Sequence, residues 1–135
     1  MTIVGLQFDK IVVDRMEVPK GKMSVKNNIV IKDIEKKDFS VGKSKQFVLL
    51  FKFEYAADYE PKIAKITLNG TTTYVEQEAK IDDIVKGWKK DKKIPKDIMT
   101  PLLNNILNRC NIEALILARE VGLPPPIQLP KVTVK

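Results

Sequence analysis

Histidine is absent from this sequence and cysteine occurs once, at Cys110. Without histidine the chain lacks the commonest general base, most nucleophile–base pairs and the commonest transition-metal ligand. With a single thiol as well, a zinc site is all but excluded. That thiol has no internal disulfide partner and falls on the apolar side of a predicted helix, so it reads as a buried structural cysteine in a reducing cytosol. Arginine is scarce too: of 24 basic residues, 21 are Lys and only Arg15, Arg109 and Arg119 are Arg. Base-edge and phosphate recognition draw on the planar guanidinium fork. The net charge of +7 therefore reads first as solvated surface and second as a polyanion-binding face.

Other absences narrow the function further. No apolar run is long enough to cross a bilayer. The opening Met1-Thr2-Ile3-Val4-Gly5 has no basic start, hydrophobic core or cleavage site, so a cytoplasmic protein is expected, with no membrane partner. Val41-Gly42-Lys43-Ser44 carries the Gly-Lys-Ser ending of a nucleotide loop, but no glycine precedes Gly42 at the required distance. The carboxylate pairs Asp82-Asp83 and Asp33/Glu35 stand among lysines on surface-like segments, where solvation accounts for them. No catalytic residue, metal ligand or cofactor is assigned, and the chain is not expected to be an enzyme.

What the sequence does contain is patterned. Its 135 residues suit one domain, residues 1–135, large enough to bury roughly two-thirds of the unfolded surface. Residues 3–15 read as a strand with Val4, Leu6 and Phe8 on one face, then Ile11-Val12-Val13. The phase changes near Asp9-Lys10, which suggests a bulge. A second strand over residues 24–36 centres on Ile29-Val30-Ile31, with Lys32 and Ile34 continuing the alternation, and Val41-Gly42-Lys43-Ser44-Lys45 is a polar turn. In the third strand Phe47, Leu49, Phe51, Phe53 and Tyr55 take every second position, placing four aromatic rings on one face. That face either packs against a helix or stays partly open to a partner. Tyr59-Glu60-Pro61 breaks the strand. A fourth runs from Ile63 to Tyr74 and on to Val75, interrupted by Asn69-Gly70 as a tight turn or a bulge. The strands together span about residues 3–78.

Residues 79–90 form a short amphipathic helix with Ile81, Ile84, Val85 and Trp88 as its apolar side. A long helix over residues 100–121 starts with Thr100 as cap and Pro101 as first helical residue, with Ile98 and Met99 in a preceding turn. Its apolar residues are Leu102, Leu103, Ile106, Leu107, Cys110, Ala114, Leu117, Ala118 and Val121. Gly122 ends it by offering a left-handed backbone. An extended tail, residues 122–135, has four prolines in seven residues from Pro124 to Pro130, with Ile127, Leu129 and Val132 between and beyond them. The fold class is α+β: a four-stranded antiparallel sheet packed on one long C-terminal helix, with a short preceding helix and an extended Pro-rich tail.

Pro95 and Pro101 near the helix start, and the stretch Ala118-Arg119-Glu120-Val121-Gly122-Leu123-Pro124-Pro125-Pro126-Ile127-Gln128-Leu129-Pro130-Lys131-Val132, resemble the SecB-like protein-export chaperones. The likeness lies in the helix end, Gly, Pro-Pro, leucine and Pro-Val order, and it extends from about Ile3 to Val132. It implies a cytoplasmic, ATP-independent holdase that binds unfolded polypeptide in apolar grooves and assembles as a homo-oligomer, a dimer or a tetramer. Carried over by position, Leu123, Pro126, Ile127 and Leu129 would line a groove, with Phe51, Phe53 and Tyr55 on the sheet beside it. Two departures bear on this. A second long helix follows the Pro-Val in the family, whereas this sequence stops at Thr133-Val134-Lys135, so a shallower groove or none is expected. The family's protein-transport members dock their motor through an acidic face, a contact that does not carry over to a chain of +7. A reduced version, archaeal or tied to a toxin–antitoxin pair, fits better than an export factor proper. The alternative from another class is a small basic nucleic-acid-binding protein, which would weaken steeply with salt.

Overall fold

In a computed structural model, which describes residues 2–127 apart from 20 and 43, the alternation of the third strand governs the architecture. The elements in order are β1 (Thr2–Arg15), β2 (Ser24–Val41), β3 (Ser44–Glu60), β4 (Ala64–Val75), α1 (Glu78–Asp91) and α2 (Lys96–Glu120). The four strands form one antiparallel sheet in the order β1-β4-β3-β2, which leaves β1 and β2 as its edges. From Leu49 to Tyr59 every second residue of β3 is buried, and on β4 the same face presents Ala64, Ile66, Leu68, Thr72 and Tyr74. α1 lies over β2 and β3, and α2 over β4 and β1. Both helices therefore cover the aromatic face, as the α+β reading requires.

Phase changes along the strands are absorbed by bulges. The pairing of β1 with β4 shifts between Phe8 and Lys10, where the sequence suggested a bulge, and again between Ile3 and Gly5. The second shift turns Val4 outward, 57% exposed, so Ile3 rather than Val4 joins Leu6 and Phe8 on the core side. β2 contains one more, between Ile31 and Asp33. Ile34 thereby falls on the same face as Ile29 and Ile31, and the unbroken alternation expected through Lys32 is corrected. Asp33 secures the bulge by accepting the Ile34 amide at 2.8 Å.

Asn69-Gly70 is neither a turn nor a bulge in β4, which runs straight through with Gly70 opposite Phe53 on β3 and Phe8 on β1. The Phe8 and Phe53 rings meet edge-on above it, centroids 6.3 Å apart. A Cβ at Gly70 would stand 2.5 Å from the Gln7 carbonyl oxygen and 2.6 Å from Phe53 Cζ, so only a bare backbone fits there.

α1 buries Ile81, Ile84 and Trp88, with Val85 half-buried, close to the predicted apolar side. Lys36 on β2 ties it down: the ammonium lies 2.8 Å from Asp82, 3.0 Å from Glu78 and 4.4 Å above the Phe47 ring. Hydrogen bonds to Asp82 and then Glu78 raise its pKa. α2 starts at Lys96 after Pro95, a turn earlier than predicted, so Thr100 is no cap and Pro101 lies inside the helix. Burial accounts for the extra turn, because Ile98 continues the four-residue stripe of Leu102, Ile106, Cys110, Ala114 and Ala118. Pro101 is tolerated because the carbonyl it leaves unpaired, on Asp97, belongs to an exposed residue that water can reach.

Gly122, at φ +71°, stops α2 as the sequence implies. The Leu123 amide donates to the Ala118 carbonyl at 2.8 Å and the Gly122 amide to Arg119 at 3.2 Å, the paired bonds of a Schellman motif. Arg15 donates to the Val121 carbonyl at 3.0 Å, setting a cation at the negative end of the helix dipole.

Candidate functional site

The arm that leaves α2 is pinned along its own sheet. Tyr59 donates its hydroxyl proton to the Pro124 carbonyl at 2.6 Å, and the Asn27 side-chain amide donates to the Pro126 carbonyl at 3.2 Å. Asn27 is itself held by the Tyr55 hydroxyl, 3.2 Å from its Oδ1. Burial drives the Tyr55 and Tyr59 pKa values up to about 12, so both stay protonated donors across the physiological range. Proline suits this segment: its fixed φ lowers the entropy lost on ordering, and a prolyl residue has no N–H left to satisfy.

Seven residues were expected to line a polypeptide groove. Phe51, Phe53 and Tyr55 are 0%, 1% and 0% exposed beneath the helices and the arm, which corrects the expectation that their rings face a client. Their alternation marks the core, because two helices and the arm all lie on that one face. Pro126 is also buried, facing the sheet, and Ile127 is half-buried at the end of the described chain. Leu129 lies outside the described residues. Leu123, 6% exposed, lines a concave surface.

That surface is an open depression of about 480 Å³ between the last turns of α2 and the arm, lined by Leu115, Ile116, Arg119, Leu123 and Pro125. The Schellman motif folds Leu123 back against α2, and the bonds to Pro124 and Pro126 hold the arm at the other wall. Ile116 is 42% exposed, and one turn earlier Ile112 is 59% exposed. Residues four apart on a helix are surface neighbours, so the two extend the apolar lining along α2. Among the described residues Arg119 supplies the depression's one charged lining side chain. Sequence reasoning found Leu123 but missed Ile112, Leu115 and Ile116. A signal was present: Leu115-Ile116-Leu117 is apolar around more of the helix than one buried stripe needs.

Among the described residues no cluster of three acidic or cysteine side chains is placed to hold a metal, and no helix is long and apolar enough to cross a membrane.

No protein-family model matches this chain, and no curated protein matches it in sequence. Among solved structures it is similar to the Mycobacterium tuberculosis Rv1957 SecB-like chaperone, determined in complex with a ChAD peptide from the Rv1956 HigA1 antitoxin. The TM-score is 0.50 at 9% sequence identity, and the match covers 99% of this chain and 91% of that one. The likeness is one of fold: a SecB-like antiparallel sheet with its long helix.

Proposed function

We propose that this chain is a holdase of SecB-like type, binding non-native polypeptide at the depression between α2 and the arm. The observation that carries the reading is uncovered aliphatic surface beside a concave wall. Ile112 and Ile116 are 59% and 42% exposed next to Leu115, Leu123 and Pro125. A similar fold is known with a peptide bound to it. Burying one client side chain of leucine size there contributes roughly 1.5–3 kcal/mol. Two such side chains reach only about millimolar affinity. A client that meets the same patch on several copies gains by effective concentration, so a homo-oligomer is part of the proposal. No nucleotide is required, because apolar burial supplies the free energy and client release follows from weak individual contacts.

The test is suppression of light scattering by a chemically denatured client diluted into buffer without nucleotide. The wild-type protein should suppress aggregation, equally or better as salt rises, since apolar burial is not screened. Ile116→Asp should lose most of the effect with an unchanged circular dichroism spectrum. A wild-type protein that leaves the client to aggregate, or an Ile116→Asp variant of full activity, would sink the reading. Steeply salt-dependent binding of single-stranded DNA without any effect on the client would favour the nucleic-acid alternative.

A further inference from the structure

A second groove lies at the other end of α2, where the exposed edge of β2 passes the α1–α2 corner. It encloses about 550 Å³ and is lined by Ile29, Val30, Ile31, Lys32, Trp88, Lys92, Met99 and Leu103. Met99 and Leu103 stand twelve and more residues before Leu115 on α2, which at 1.5 Å per residue separates the two concavities by roughly 18 Å. Four consecutive strand residues line the groove, although neighbouring side chains point to opposite faces of a sheet. What it exposes is therefore the strand's edge itself, and among the described residues β2 pairs only with β3.

The floor is aliphatic and the charged side chains on its rim are both cations. Lys32 is held by Glu54 at 3.1 Å, and Lys92 lies 5.1 Å from the centroid of the Trp88 ring. Lys96 stands one turn before Met99 on the same side of α2. Lys89, Lys90, Lys93 and Lys96, clustered at this corner, have no ion-pair partner among the described residues. Trp88, one wall of the groove, is 7% exposed and its indole N–H is buried without an acceptor.

From this geometry we infer that the groove takes an extended acidic–aliphatic peptide from a partner protein, added as a strand along the edge of β2. Backbone N–H and C=O groups of the peptide pair with the edge. Its aliphatic side chains face Ile29, Ile31, Met99 and Leu103, and its carboxylates, on the other face of the added strand, meet Lys32, with Lys92 and Lys96 adding attraction from the corner. The bulge between Ile31 and Asp33 limits the added strand to the stretch before it. A lysine on an exposed edge also discourages neutral or basic strands from pairing, so the site selects by charge. Nucleic acid fits less well, because the one ring in the groove is buried, leaving no open aromatic face on which a base can stack.

The single tryptophan of the chain reports on this groove and not on the depression at Ile116. A synthetic, Trp-free peptide of alternating Glu and Val is titrated into the full protein while Trp88 emission is recorded. Saturable binding is expected, absent for the Lys-Val counterpart and lost when alternate peptide amides are N-methylated. Lys32→Glu combined with Lys96→Glu should weaken it at least about tenfold while leaving client holding intact. Ile116→Asp should do the reverse, so this site and the holdase reading fail independently. Hydrogen exchange supplies a second readout, slowing at β2 amides near Val30 on binding. Equal binding of the Lys-Val peptide, of the N-methylated peptide, or of oligothymidylate with matched charge would overturn the inference.

Discussion

Gly70→Ala is the sharpest test of how this sheet is packed. The added methyl would stand 2.5 Å from the Gln7 carbonyl oxygen, 2.6 Å from Phe53 Cζ and 2.9 Å from Phe53 Cε1, against the roughly 3.5–4.0 Å that carbon contacts prefer. The Phe53 ring is 1% exposed and has no room to retreat. Forcing a methylene-sized group into such a site costs about 1–3 kcal/mol. Displacing Phe53 also gives up its edge-on contact with Phe8, worth about 0.5–1.5 kcal/mol. Against this, replacing glycine in a strand recovers about 0.5–1 kcal/mol of backbone entropy. The net expectation is a loss of roughly 2–3 kcal/mol, read as a lower urea midpoint at unchanged slope. Phe53→Leu removes the ring atoms in the way, so Gly70→Ala should cost about 1 kcal/mol less in that background. The Gln7 carbonyl still has to shift, and some cost should survive. A Gly70→Ala protein within about 0.5 kcal/mol of wild type, or one equally damaged in both backgrounds, refutes the packing argument.

Three further outcomes follow from buried polar groups. Tyr59→Phe strips the Pro124 carbonyl of its donor, bonded at 2.6 Å; it should cost about 1–2 kcal/mol in urea unfolding and speed amide exchange at Leu123. All three tyrosines, Tyr55, Tyr59 and Tyr74, have pKa values pushed up to about 12, chiefly by burial. In the unfolded chain they ionise near 10, so stability is intact below about pH 10 and falls as pH rises toward about 12. Tyrosinate absorbance should therefore appear together with loss of the circular dichroism signal, and a titration near 10 in a still-folded protein would contradict the burial. Burial likewise pushes the Cys110 thiol up to about 12. Its alkylation at neutral pH should track global unfolding, whereas rapid labelling of the native protein would show the α2 stripe to be open.

The parts of the fold legible in the sequence are those where one local signal has one solution. β3 alternates over so many positions that no other phase places its rings together, and the Asp9 bulge follows because Phe8 and Ile11 cannot share a face without it. Gly122 followed by prolines permits only a helix stop. By contrast, Ile29-Val30-Ile31-Lys32-Asp33-Ile34 fits either phase, and contact with Phe51 and Phe53 on β3 decides for Ile34. Pro101 looked like a helix start because proline favours the first turn, yet burial of Ile98 outweighed one missing hydrogen bond. Asn69-Gly70 carried a turn signal whose actual cause, two phenylalanine rings crossing from neighbouring strands, is a tertiary contact that no local window contains.

The proposed binding surface was harder to read for a physical reason that applies to both ends of the molecule. Hydrophobicity says how strongly a residue resists water but not whether the fold has a neighbour to offer it. Phe51, Phe53 and Tyr55 carry larger side chains than Ile112 and Ile116, and two helices and a pinned arm cover them. A surface that is to exchange partners has to be apolar enough to attract an extended chain and modest enough that the protein stays folded with it uncovered. Isolated aliphatic side chains on the outer turns of α2 meet that condition, and a strip of aromatic rings across a sheet does not. The arm does both tasks at once: Tyr59 and Asn27 hold its carbonyls so that Pro126 seals the sheet, which leaves Leu123 and Pro125 as the fixed wall beside Ile116. Loosening the arm should therefore degrade client binding through geometry alone, even where every aliphatic side chain of the depression is retained.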